Sequence, residues 1–129
     1  MFFFKNFVFV ATVILIIFNA NSSQAKCKAW EDKNVEWTGS YAQYYEKGLV
    51  LKEECNKLIS AMFCFQTAIR KAETEGIEGD SPGFMPHAEL AETYFLKKRY
   101  KKVKEMIEKA GFESSKIKEV RKKMAEIER

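Results

Sequence analysis

Few side chains in this sequence offer reactive chemistry, and those few are badly placed for it. His87 is the single histidine, so a two-histidine metal site is impossible. It follows Pro86 at a helix start, where an exposed, unspecialised imidazole is the expectation. Cys27, Cys55 and Cys64 are not spaced as CxxC, the arrangement that favours dithiol redox work. The acidic stretch "EGIEGD" (Glu75–Asp80) lacks the alternating oxygen ligands of a calcium loop and reads as an acidic turn. No glycine-rich loop could cradle a phosphate, and no carboxylate pair is recognisable as an acid–base couple. The sequence therefore points to a non-enzyme that needs no cofactor and no metal. Its function must lie in its surfaces.

The first surface is basic. Residues 26–96 hold 8 basic and 12 acidic side chains, a net of −4, whereas residues 97–129 hold 13 and 6, a net of +7. The cations run through Lys97, Lys98, Arg99, Lys101, Lys102 and Lys104. They continue on a last helix with Lys116, Lys118, Arg121, Lys122 and Lys123. One reading is a solvated face laced by i,i+4 pairs such as Glu119–Lys123. The sharper one is a patch for an anionic partner.

The N-terminus bears on which partner. Residues 1–25 read as a cleaved export signal. Lys5 is the only charge, an apolar run spans Phe7–Phe18, and Ser23-Gln24-Ala25 suits cleavage. A retained anchor stays open, because flanking residues could extend the run to a spanning length. A lipidated cysteine would follow a small residue, and Lys26 precedes Cys27. The sequon Asn21-Ser22-Ser23 falls in the segment expected to be removed. Export gives a periplasmic or secreted protein and permits a disulfide. It also makes phospholipid headgroups, acidic envelope polymers or an acidic protein the anionic partner, rather than nucleic acid. The apolar richness and the Phe-rich signal suit a bacterial envelope.

The positioning elements are helical. Residues 26–39 carry Trp30 and Trp37 without a firm period and read as a segment laid on the core. Ser40 and Gln43 form a capping-box pattern, followed by Tyr41, Tyr44, Tyr45, Gly48 and Leu49 at helical spacing. A second helix is expected over Cys55–Gly76. Leu58, Met62, Phe65, Ile69 and Ala72 line its face, and Ile59, Phe63 and Cys64 broaden it. So wide an apolar arc predicts the central helix, covered on several sides. Gly76 suits its end. After a loop over Ile77–Pro86, helices follow from His87, Tyr100 and Ser114 or Ser115. Leu90, Ala91 and Tyr94 face inward in the first of these. Tyr100, Val103, Ile107 and Ala110 do so in the second. The last keeps a narrow stripe of Ile117, Val120, Met124 and Ile127. With no useful strand alternation, the fold class is all-α.

"LAETYFLKKRYKKVKEMIEKA" (Leu90–Ala110) resembles a tetratricopeptide repeat. Leu90-Ala91 looks like that motif's Leu-Gly pair, followed three residues on by Tyr94. Tyr100 looks like its inter-helix aromatic, and Val103, Ile107 and Ala110 fall at its second-helix Ala, Phe and Ala positions, two of those identities departing. Upstream, Ala61, Phe65 and Ala68 match the second-helix signature, with Gly48 one residue too far away. The related Sel1-like repeat shares "RKAETEG". The resemblance implies antiparallel helix pairs stacked as about two repeats plus a C-terminal capping helix over residues 40–129. It also implies a concave groove for a protein or peptide, which Glu92, Phe95 and Leu96 would line, although Phe95 can equally be core. Repeats of this kind usually need about three copies to bury a continuous core. A compensating Cys27–Cys55 disulfide is therefore expected, worth about 3 kcal/mol in the entropic account. Cys64 would be a buried thiol, and pairing through Cys64 stays open. Stacking of two copies of the chain is compatible with the same faces.

Overall fold

A computed structural model of the chain describes Cys27 and residues 39–129. Nearly all of these lie in the second of the chain's two compact units, Met1–Glu36 and Trp37–Arg129. The leader read into residues 1–25 and the tryptophan segment fall outside the described residues, Cys27 and Gly39 apart. The described part is all-α, with five helices: α1 (Tyr41–Glu53), α2 (Leu58–Thr74), α3 (Pro86–Leu96), α4 (Tyr100–Ala110) and α5 (Ser115–Ile127). The most extensive packing is within the pairs α1·α2 and α3·α4, and α3 also touches α2 and α5.

Local chemistry sets each boundary. Ser40 and Gln43 satisfy each other's backbone N–H at the start of α1, as the capping-box spacing requires. Tyr44, Tyr45, Gly48 and Leu51 then turn inward. Residues 54–57 form a turn in which Asn56 takes a left-handed conformation, one that asparagine tolerates better than most residues. The second helix therefore begins at Leu58 rather than Cys55. It ends when the N–H of Ile77 reaches the Ala72 carbonyl and that of Gly76 the Glu73 carbonyl, a Schellman closure around left-handed Gly76. An equivalent closure ends α3: Arg99 donates to Tyr94 and Lys98 to Phe95. Here the left-handed position holds Lys98. Gly111 terminates α4, and Ser114 caps α5 through Ile117.

Small residues let the helices approach closely. A Cβ added at Gly48 would lie 2.5 Å from the Phe65 ring, so only glycine admits that ring at full contact. Ala61, Phe65 and Ala68 have no exposed surface beside it. In the α2–α3 loop, left-handed Gly79 passes 2.7 Å, measured from an added Cβ, from the Ala110 carbonyl. That same carbonyl accepts from the Asp80 N–H at 2.6 Å, which ties the loop to the end of α4.

Four expectations about which faces are buried need correction. Ile59 and Phe63 do not broaden the buried face of α2, because both point into solvent. The central helix is α3, not α2: every residue from Pro86 to Ala91 is buried. On α4 the inward set is Val103, Met106 and Ala110, with Tyr100 and Ile107 only half-buried, while the α5 stripe loses Ile127 to solvent.

Candidate functional site

Polar side chains buried around α3 form the most organised chemistry in the described residues. Glu89 is nearly enclosed. It accepts from Lys52 of α1 at 2.6 Å and from Lys116 of α5 at 2.6 Å. Glu92, one turn on, accepts from the same Lys52 and stands 3.6 Å from Lys116. Two carboxylates on one helix thus clamp two lysines from its neighbours. Burial alone would raise the Glu92 carboxyl. The hydrogen bonds and charges of Lys52 and Lys116 outweigh it and hold the group below its ordinary range. Burial would likewise lower Lys116, yet Glu89, then Glu92 and Glu53, hold it above its usual value. Burial, followed by the Glu89 charge, pushes the Tyr45 phenol up.

A second buried pair sits at the start of α3. Asp80 reaches forward from the loop. Its Oδ1 accepts from the His87 N–H and from His87 Nδ1, both at 2.9 Å, and its Oδ2 accepts from the Ala88 N–H at 2.9 Å. A carboxylate only accepts, so Nδ1 carries the proton in this contact. The expectation of an exposed His87 is therefore wrong, and Asp80 is no solvated turn residue. It is a helix cap delivered from outside the helix, where it also opposes the positive end of the helix dipole. Among the described residues every buried side-chain nitrogen and oxygen has a partner.

The residues singled out from the sequence separate. Glu92 belongs to the ion cluster. Phe95 is half-buried, with its ring 5.8 Å from that of Tyr100. Leu96 is exposed. Lys97, Lys98, Arg99 and Lys101 are exposed at the α3–α4 turn and make no ion pair among the described residues, whereas Lys102 faces Glu105 at 3.5 Å. Arg121 instead pairs with Glu113 at 2.6 Å and lines a shallow groove with Ile107 and Glu108. That puts it toward the far end of α4 from the cationic turn, and Lys122 beside it is exposed. Cys27 and Cys55 are disulfide-bonded. Cys64 is the buried free cysteine, its thiol pushed up by burial and only partly relieved by the Lys47 charge.

Sequence reasoning missed Lys52 and Glu89, placed Lys116 only in a basic run and Asp80 only in an acidic turn, and did not foresee the burial of His87. One signal was present. Glu89 lies directly before the inward pair Leu90-Ala91 and three residues before Glu92, so two carboxylates had to share a face of a mostly apolar helix.

Among the described residues no group of three or more His, Cys, Asp or Glu side chains is placed to hold a metal ion. No helix there is long and apolar enough to cross a membrane. Comparison with known proteins finds no matching family model, no matching curated protein and no matching solved structure.

Proposed function

We propose that this chain is an exported, non-enzymatic helical-repeat module of the tetratricopeptide type, an adaptor or scaffold in the cell envelope that mediates protein–protein interaction. The observation that carries the reading is the close approach of α1 and α2 at Gly48 and Phe65, followed by a second pair with buried Ala88, Ala91 and Ala110. Alternating helix pairs joined at small residues build a stackable unit with one open side. The leader of residues 1–25 supports export. Leu96, exposed at the end of α3, is the groove residue available to a partner.

The test is capture with the full chain, washed at low and then high salt. One protein should stay at stoichiometric level at high salt, and Leu96→Asp should release it at least tenfold more readily without changing the melting temperature. Retention of nothing at high salt by either form overturns the adaptor reading.

A second reading has its own support. Lys97, Lys98, Arg99 and Lys101 are exposed without an ion pair among the described residues, which suits a secreted or envelope-surface protein whose basic face binds an anionic membrane or host component.

A further inference from the structure

The helix directions define two ends in the body formed by α1 to α5. Gln66 of α2 hydrogen-bonds Tyr94 of α3, and Ile59 shares a groove with Lys97, so α2 and α3 run antiparallel. Lys116, early in α5, meets Glu89, early in α3. Lys104, early in α4, meets Glu128 just after α5 at 2.6 Å. The C-terminal ends of α3 and α5 therefore lie at the same end as the N-terminal ends of α2 and α4. Among the described residues the four large apolar side chains most open to solvent are Ile59 at 61%, Phe63 at 60%, Leu96 at 56% and Ile127 at 46%. All four belong to that end. Scattered singly they would need no explanation, but their confinement to one end does.

The charge at that end is also specific. The α3–α4 turn brings Lys97, Lys98, Arg99 and Lys101 there with no carboxylate between them in the chain. Of the carboxylates at that end, Glu128 is engaged by Lys104 and Glu105 by Lys102, while Glu53, Glu54 and Glu126 are exposed.

We infer that this end docks on an anionic phospholipid surface. Ile59, Phe63, Leu96 and Ile127 enter the headgroup–acyl boundary, and the cations of the α3–α4 turn bind the phosphates around them. Apolar protrusions ringed by lysine and arginine match the two components of interfacial binding, area burial and attraction to anionic lipid. The inference rests on the basic-face reading and gives it a ligand and an orientation.

The experiment uses the full chain with the photoreactive residue benzoylphenylalanine in place of Phe63. A control carries it in place of exposed Glu73, at the far end of α2. Each is illuminated with vesicles of phosphatidylcholine containing about one third phosphatidylglycerol, and lipid adducts are read by mass. Position 63 should give about tenfold more adduct than position 73. Combining Lys97→Gln, Lys98→Gln and Arg99→Gln should weaken charge-dependent partitioning by up to about a hundredfold and bring position 63 down to the control. Equal adducts at 63 and 73 that still fall with the three substitutions would overturn end-on docking and leave the basic-face reading standing. Adducts insensitive to the substitutions, or none at either site, would overturn both. A cross-link between two copies through position 63 would overturn the lipid surface in favour of self-association.

Discussion

Helices α2 and α3 place their side chains against opposite expectations. Both are mostly apolar, yet on α2 Ile59 and Phe63 stand in solvent. Helix α3 carries His87, Glu89 and Thr93 in fully packed positions. Coverage explains the difference. α3 has α2, α4 and α5 against it, and its side chains also reach α1 through Lys52, so polar groups on it must find partners inside. Each does: Glu89 takes two lysines, His87 takes Asp80, and the Thr93 hydroxyl donates to the Glu89 carbonyl at 2.8 Å. Among the described residues no helix packs on the outer side of α2, where Ile59 and Phe63 remain uncovered. A buried position tolerates polarity that is paired, while an exposed one tolerates apolarity that nothing covers.

Substitutions that separate the two helices by energy can break this contrast. The largest effect belongs to Glu89→Ala. It removes the common acceptor of two partly desolvated lysines and should cost about 3 to 5 kcal/mol, read as a shift in the urea midpoint. A cost below about 1 kcal/mol would mean the cluster behaves as a surface pair. Next comes Asp80→Ala, which strips the caps from the His87 and Ala88 N–H groups and leaves the imidazole without its acceptor. The expected loss is about 2 to 3 kcal/mol, with faster amide exchange in the first turn of α3 and little change in α1. Smallest is Phe63→Ser. Its ring is mostly solvated, so the melting transition should move by the equivalent of about 0.5 kcal/mol or less. A loss as large as that of Asp80→Ala would show that Phe63 belongs to the core after all.

Local signals in the sequence were read correctly where the physics is local. The Ser40–Gln43 box, Gly76 at the end of α2 and a serine at the start of α5, left between Ser114 and Ser115, all involve contacts within a few residues. The inward set Leu90, Ala91 and Tyr94 also stood, because helical period fixes which residues share a face. The breadth of the α2 face did not stand. Period says that Phe63 lies beside Phe65 and Met62, but it does not say whether another helix arrives on that side.

By itself the sequence determined the all-α class, the approximate helix order and the cationic turn between α3 and α4, each of which follows from spacing, caps or charge. It favoured Cys27–Cys55 but left pairing through Cys64 open, and the structure records Cys64 as the free thiol. Only tertiary structure decided that α3 is the centre, that Asp80 and His87 are buried together seven residues apart, and that Lys52 and Lys116 meet on Glu89 across 64 positions of chain. Those outcomes depend on which elements pack together, and hydrogen bonds between distant residues leave no period to read.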